Sequence, residues 1–435
     1  MGTFKGEDLK MTVVHIGYLY GRNNTGGAAI ASTRLHLALL QEGIDSHYVC
    51  VRKCEEGPHV HELPTGLKRR LYLVLTKLLR CVWKLTSYHR SISLNLVPLF
   101  GLERLLLKLR PDVVHVHWLN ADVMSFEQLG HLREVLPQTR FVISLHDLFI
   151  INAIEPQPRD DRRYLNGFTP RGSTRLERWL FNRKRRAIRK LNETVLDGIE
   201  RPLAFVGPSE WVVDCCRRSV IGRGISTYVI PNLIDPWFSY DSSLSLPHGK
   251  FTILYGALGG RKSQYKGFDD LAAALSLLPP EMKKNSELHI FGEDADICET
   301  EGVVTHFLGK ITSPRQLVSI YHRADVFAFP SREEAQGMVK VEAMLCGLPV
   351  IAFDRTACAE GIVQGVTGWR ATNNDVAQFE KGLQWAYGLW RDDRIGIHRQ
   401  QVADYAQRLF SREALLGKTR GVYRVCSTQE RQCMV

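Results

Sequence analysis

Short apolar runs alternate with helical stretches in two series, one on each side of a segment rich in Pro, Ser, Asp and Gly at residues 229–250, VIPNLIDPWFSYDSSLSLPHGK. This alternation constrains the fold more than any single motif does. Runs such as DVVHVHW (112–118), RFVISLHD (140–147) and PLAFVGPS (202–209) are apolar on both faces. Strands of a parallel sheet covered by helices on each side have that character. The first strand is read at 11–17, followed by a loop with Gly21, Gly26 and Gly27 and a helix over 28–43 that Gly43 closes. In the second series the strands are read at 250–257, 287–294, 303–310, 325–331 and 349–354. Helices are read at 267–278, 313–324 and 335–347, with Ser313 as N-cap and Pro314 in the first turn of the second. Residues 375–410 read as helical. The expectation is an α/β protein of two doubly wound, Rossmann-like domains, residues 1–235 and 250–410, joined by a linker at 236–249.

Composition narrows the classes. A chain of 435 residues is long for one domain, and 44% hydrophobic with 24% charged residues excludes a disordered chain. No window approaches the roughly 20 apolar residues of a membrane-spanning helix. The start MGTFKGEDLKM has no apolar core for a secretory signal, and Gly6 stands where a myristoylation signal needs Ser or Thr. Ten cysteines without framework spacing point to a reduced, cytoplasmic setting. The net charge of +11 is local: residues 66–90 carry a net +7 and residues 171–190 a net +8, so the remainder is −4. Two basic segments argue against a broad nucleic-acid groove and for local anionic contacts.

Ligands of open parallel sheets bind beyond the carboxyl ends of the strands. The candidates there are Gly26 and Gly27, His117, His146 and Asp147, Ser209 and Glu210, residues 256–266, and residues 331–342. His115 and His117 are read on one strand with only one of them facing the ligand side. In SREEAQGMVKVEAMLCGLPVIAFD (331–354), Glu334 is read in the loop after a strand and Glu342 in the next helix. Eight residues of helix rotate about 800°, which leaves the two side chains about 80° apart. The helix start between them, around Gly337, Met338 and Val339, offers unpaired N–H groups to an anion. That spacing alone favours an ordinary exposed helix face.

The surrounding motifs, in order, are TGGAA (25–29), SLHDL (144–148), VGPSEWVVDCC (206–216), IPNLID (230–235), YKGFDDLAAAL (265–275), HFLGKITSPRQLVSIYHRADVFAFPS (306–331) and FPSREEAQGMVKVEAMLCGLPVIAFD (329–354). This series resembles the retaining glycosyltransferases of the GT-B fold, family 4 (group 1 glycosyltransferases), over most of the chain. The resemblance implies two Rossmann-like domains facing a central cleft, the first binding acceptor and the second donor, with a C-terminal helix of about 411–435 rejoining the first. It implies transfer of a hexose from a UDP- or GDP-sugar to a glycan or lipid-linked acceptor, in assembly of a cell-surface polysaccharide such as exopolysaccharide, capsule or lipopolysaccharide. Cofactors and metals are not implied beyond the donor itself, because cations and helix N-termini carry the diphosphate. Glu342 is implied to bind the ribose hydroxyls and Glu334 the donor sugar near the reacting carbon. Lys266 is implied to pair with the diphosphate, with Arg261 or Lys262 as a second cation, and His146 to contact the donor sugar. Gly26 and Gly27 are implied to let the backbone approach the diphosphate. The implied chemistry is front-face attack, the departing phosphate accepting the acceptor's proton.

The sequence departs from the family at Leu233, where Gly is usual, and in ELHIFGED (287–294), with one glycine where two are common. The segment 148–167 also lacks the cysteines of one subgroup.

Within 67–90, Leu67, Leu71, Val74, Leu78, Val82 and Leu85 form a helical stripe, and Arg70, Lys77, Arg80 and Lys84 occupy another face. Two readings stand: contact with an anionic membrane surface, at the inner face of the cytoplasmic membrane, or a core-facing helix with a solvated basic side. The basic helix at 178–190 is read as lining or flanking the cleft. Another GT-B sugar-nucleotide enzyme, an epimerase or phosphorylase, is the alternative function. A nicotinamide-dependent oxidoreductase is disfavoured by the lack of a Gly-x-Gly-x-x-Gly turn after the first strand.

Overall fold

A computed structural model describes residues 11–22, 26–81, 93–152, 162–166, 174–192, 195–196, 199–200, 203–244, 249–256, 261, 264–372 and 374–425. The chain forms two compact units. Unit 1 comprises Met1–Pro208, Val212–Ile230 and Leu416–Val435, and unit 2 comprises Ser209–Trp211 and Pro231–Leu415. The division therefore falls at Ile230, ahead of the expected linker, and residues 236–249 belong with unit 2.

Unit 1 begins with β1 (Thr12–Tyr20), α1 (Gly27–Gln41), β2 (Asp45–Lys53), β3 (Val60–Glu62), α2 (Gly66–Arg80) and α3 (Leu102–Leu109). It continues with β4 (Val113–Val116), α4 (Phe126–Val135), β5 (Arg140–Ser144), α5 (Arg175–Asn192), the two-residue strands β6 (Val195–Leu196) and β7 (Ile199–Glu200), β8 (Leu203–Gly207), α6 (Glu210–Arg218) and β9 (Ser226–Val229). Seven of these strands form one sheet in the order β3-β2-β1-β4-β5-β8-β9, paired in parallel throughout. The central strands are apolar on both faces because helices cover both: every residue of β4 and β8 is buried. The sequence reading passed over β2 and β9. Their residues, DSHYVCVRK and STYV, mix polar and apolar side chains, as strands towards a sheet edge do.

Unit 2 contains β10 (Phe251–Gly256), α7 (Phe268–Ser276), α8 (Pro280–Lys284), β11 (Ser286–Phe291), β12 (Cys298–Thr300), β13 (Val303–Phe307), α9 (Pro314–Arg323) and β14 (Val326–Phe329). It ends with α10 (Met338–Leu345), β15 (Val350–Asp354), β16 (Gly368–Thr372), α11 (Val376–Arg391), α12 (Ile395–Phe410) and the start of α13 (Arg412–Val425). Its sheet order is β12-β13-β11-β10-β14-β15-β16, parallel except for the antiparallel edge strand β12. The stretch read as helical over 375–410 comprises two helices, separated where Asp393 takes a left-handed φ of 53°. The helix read from 335 starts three residues later, because Gly337 at its N-cap has φ 76° and ends the loop there. Glu334 therefore precedes the helix, and the 80° relation does not apply: Glu342 is the fifth residue of α10, about one turn in.

Helix α13 carries the chain back to unit 1. The Tyr423 hydroxyl is 2.6 Å from His115 Nδ1, and Arg140 donates to the Tyr423 carbonyl at 2.6 Å. The apolar stripe of helix α2 does not turn inward. Tyr72 and Thr76 are its buried side, and the Tyr72 hydroxyl donates to the carbonyls of Asp122 and Val123 at 2.6 and 2.9 Å. Leu67, Leu71, Val74 and Leu78 face outward, 81%, 50%, 55% and 62% exposed, so this stripe is not core-facing. Val82, Lys84 and Leu85 lie outside the described residues. The basic helix α5 packs on α4, with ion pairs from Arg183 to Glu127 and from Lys190 to Glu134. Its Lys184 is buried 4.1 Å over the Phe149 ring and donates to the carbonyls of Phe149 and Asn152. Among the described residues no helix is long and apolar enough to cross a membrane.

Candidate functional site

In unit 2, the segment after β10 ends in a single turn, Gln264–Lys266, and Gly267 caps α7 with φ 66°. A Cβ at Gly267 would lie 2.0 Å from the Pro330 carbonyl oxygen, so only glycine lets this turn sit against the loop that follows β14. Arg332 locks the two together. Its N–H donates to the Tyr265 carbonyl at 2.8 Å, and its guanidinium grips Asp270 with two bonds of 2.7 and 2.9 Å. The result is that Lys266 Nζ lies 2.5 Å from Glu334 Oε1.

Glu334 is held from its other side as well. Its N–H donates to Thr356 Oγ1 at 3.2 Å. The loop carrying Thr356 is fixed by the buried Lys340, which donates to the carbonyls of Ala357 and Glu360 at 2.9 and 2.7 Å. Burial pulls the Lys340 pKa down to about 8. The sequence reading missed Lys340, although a lysine inside GMVKVEAMLCG, an otherwise apolar helix, was a signal. Glu342 is buried on α10, beyond Gly337, Met338 and Val339, whose segment supplies the first-turn N–H groups without intrahelical acceptors. Gln336 accepts from the Asn232 backbone and side-chain amides at 3.0 and 2.6 Å, which ties IPNLID to this loop. Leu233 is buried there without a left-handed backbone, so its turn does not require the family's glycine.

Arg261 pairs with Glu293 at 3.2 and 3.3 Å and lies 4.6 Å over the Phe307 ring. Lys262 lies outside the described residues. The Glu360 carboxylate accepts from the N–H groups of Glu210 and Trp211 at 3.0 and 2.8 Å.

In unit 1, Gly26 is the N-cap of α1 with φ 89°, and nothing lies within 4 Å of the Cβ it lacks. Glycine is required by the backbone there and not by crowding. Gly27 opens the helix. His146 follows β5 and stands at one end of a chain of histidines. His15 Nδ1 lies 2.9 Å from His117 Nε2, and His117 Nδ1 lies 3.1 Å from His146 Nε2. His15 Nε2 is buried with no partner among the described residues. A neutral imidazole donates from one nitrogen and accepts at the other. Protons running from His146 towards His15 would leave a buried N–H of His15 unpaired, which is costly. The opposite order leaves only a bare acceptor there. It puts the proton of His146 on Nδ1, where no described residue takes it. Desolvation keeps the chain neutral: it holds His15 and His117 well below 6.5 and His146 down to about 4. Nearby, Asp147 accepts from Trp118 Nε1 at 3.0 Å and from the Phe149 N–H at 2.9 Å.

The expectation that only one of His115 and His117 faces the ligand side fails, because residues two apart along a strand project from the same face. Their rings lie 4.0 Å apart, and both are buried. His115 is occupied by Tyr423 and, at 2.8 Å, by Ser144.

The arrangement is one of a fixed cation beside a carboxylate at a helix N-terminus in unit 2, and of a glycine-capped helix and an oriented imidazole in unit 1. Comparison with known proteins places the chain in a family. Residues 25–238 match the model for Glycosyltransferase Family 4, and residues 242–408 match that for Glycosyl transferases group 1. A D-inositol 3-phosphate glycosyltransferase of Corynebacterium efficiens is 32% identical over 117 residues, 27% of each chain. A glycogen synthase of Mycobacterium tuberculosis is 30% identical over 187 residues, 40% of this chain and 43% of that one. The chain thus spans less than half the length of these curated relatives. Among solved structures, sucrose-phosphate synthase from Thermosynechococcus elongatus superposes with a TM-score of 0.62 at 17% identity, over 95% of this chain and 98% of that one. Anabaena Alr3699/HepE in complex with UDP-glucose superposes with a TM-score of 0.56 at 15% identity, over 95% and 99%. Likeness at those identities is likeness of fold, the GT-B architecture. With its two parts matched in order by these family models, the chain belongs to the group 1, family 4 glycosyltransferases.

Proposed function

We propose that the protein is a retaining, metal-independent hexosyltransferase. It takes a hexose from a nucleoside-diphosphate sugar to a glycan or lipid-linked acceptor in assembly of a cell-surface polysaccharide. The observation that carries the reading is the 2.5 Å pair of Lys266 and Glu334 beside the start of α10. A donor's diphosphate draws Lys266 away from Glu334, and the released carboxylate turns to the sugar hydroxyls. As the sugar–phosphate bond breaks, negative charge grows on the leaving phosphate, and Lys266 stabilises it from a fixed position. The amides of Met338 and Val339 add the positive end of the helix. Glu342 accepts charge-assisted hydrogen bonds from the ribose hydroxyls. His146 donates from Nδ1 to a sugar hydroxyl. The departing phosphate takes the acceptor's proton, so no side chain is assigned as base. These positive groups belong to the chain itself, and the reading therefore assigns no step to a metal. The Anabaena protein solved with UDP-glucose supports the donor class.

The outward stripe of α2 supports an acceptor held at an anionic membrane surface. Lys68, Arg70 and Lys77 are exposed beside four exposed apolar side chains, as an interfacial helix requires. The protein then works at the inner face of the cytoplasmic membrane.

The test is a panel of uridine and guanosine diphosphate hexoses, screened by thermal shift and by donor hydrolysis, with and without chelator, well below the unfolding transition. One donor should raise the Tm and be turned over in chelator, and the product should keep the donor's anomeric configuration by NMR. If no sugar nucleotide stabilised the wild type, or if Glu342→Ala bound donor as tightly as wild type, the reading would fail.

A further inference from the structure

The edge of the first sheet carries a side-chain cluster that glycosyl transfer does not use. Asp45 and His47 are two residues apart on β2, so both project from the same face. The parallel register sets Tyr48 opposite Val60 and Val49 opposite His61, which brings His59 and His61 alongside them. Asp45 Oδ1 lies 3.2 Å from His47 Nε2 and 3.7 Å from His59 Nδ1. The His47 and His59 rings stack at 4.7 Å, and the three ligand atoms all lie within 4.8 Å of one another. An ion bound tetrahedrally at about 2.0–2.1 Å separates its ligand atoms by roughly 3.4 Å. Two edges of this triangle are already close to that. His61 Nε2 lies 3.0 Å from His47 Nδ1, the kind of outer partner that orients a metal-binding imidazole. Asp45 Oδ2 is steadied by the Thr12 hydroxyl at 3.0 Å.

Two other clusters fit less well. The group of His15, His115 and His117 is fully buried and includes no carboxylate to offset the charge of a dication. In the group of Glu287, His289 and His306 the edges are 3.4 and 3.6 Å, but the Lys250 ammonium stands 3.7 Å from Glu287, where it opposes a dication.

We propose that Asp45, His47 and His59 form a binding site for a first-row transition dication of the Zn²⁺ type, with His61 orienting His47. Two imidazoles and one carboxylate suit such an ion better than Mg²⁺ or Ca²⁺, which favour all-oxygen shells. Water completes the coordination. The ion would clamp the three-residue strand β3 onto β2, directly ahead of α2. The site lies at the amino end of β2, roughly 20 Å from its carboxyl end at 3.3 Å per residue, so its effect is on the sheet edge and not on the transfer step.

The test uses the untagged full chain, stripped with chelator and titrated with Zn²⁺ by calorimetry, with thermal unfolding read in parallel. One equivalent should bind and raise the Tm. His47→Ala and His59→Asn should each weaken binding at least about tenfold and remove the rise in Tm. Asn tolerates the left-handed φ of 52° at position 59, so that variant keeps its fold. His61→Gln should weaken binding about tenfold with unchanged stoichiometry, and His306→Ala should leave the titration unaltered. Three results would overturn the assignment: no stoichiometric binding, binding that survives in both His47→Ala and His59→Asn, or a Co²⁺ spectrum with thiolate charge transfer. The last would move the ion to a cysteine, of which Cys54, Cys81 and Cys298 are exposed among the described residues.

Discussion

At Lys266 one ammonium serves two partners in turn, Glu334 before the donor arrives and the diphosphate after. Lys266→Ala should lower donor turnover by about 10²–10³-fold, the usual loss when one fixed group facing developing charge is removed. Steady-state kinetics at saturating donor check this, and turnover within a few-fold of wild type would exclude Lys266 from the transition state. Nitrogen NMR checks the histidine chain: His146 should carry its proton on Nδ1, and a protonated Nε2 would reverse the order argued from His15. The same histidines set a pH dependence. Desolvation holds His36 and His146 near 4, His115 near 3, and His15 and His117 well below 6.5. Their folded pKa values lie below the unfolded value, so between pH 6.5 and about 4 the unfolded chain binds more protons. The stability is therefore whole above pH 6.5 and is lost as pH falls, by up to about 1.4 kcal/mol per pH unit for each histidine. Urea unfolding at pH 7.5 and pH 5 measures it, and equal stabilities would contradict the buried neutral state. Of these residues, Lys266, Glu334, Glu342 and His146 were legible because each stands in an ordered motif. Lys340, Thr356 and the partner role of His15 were not, because their importance comes from segments they touch and not from neighbours in sequence.

Helix α2 is the element whose sequence pattern and placement diverge most. Its apolar stripe would normally mark a core face, yet Tyr72 and Thr76 make the buried side and the leucines face out. The double variant Leu67→Asp, Leu78→Asp should change stability by no more than about 0.5 kcal/mol, as surface substitutions do. It should also abolish sedimentation with anionic vesicles. A large drop in Tm would mean the stripe is covered, and unaltered sedimentation would remove α2 from membrane binding. The other differences at this scale have local causes. Strands β2 and β9 escaped notice because their polar residues break the apolar run that a doubly covered strand shows. Helix α10 starts late because Gly337 adopts a left-handed backbone, which an isolated glycine in a helical pattern does not announce.

For the whole molecule, the return of α13 to unit 1 is the clearest long-range dependence. Tyr423→Phe leaves His115 Nδ1 buried without its partner, which should cost unit 1 about 1–3 kcal/mol. Chemical denaturation measures the loss. Stability equal to wild type would show that the helix is held by its apolar contacts alone. Local properties of the chain were enough to give two α/β sheets, the turns at Gly26 and Gly267, and the order of motifs that carries the glutamates. Alternating apolar runs, turn residues and motif spacing are all short-range, and each is written within a few tens of residues. The pairings were not readable in this way. Lys266 meets Glu334 across 68 residues, and His115 meets Tyr423 across 308. Which strand lies beside which is decided by packing of the finished sheet, and so the partner of each functional side chain, and the face that α2 turns outward, came from the tertiary structure.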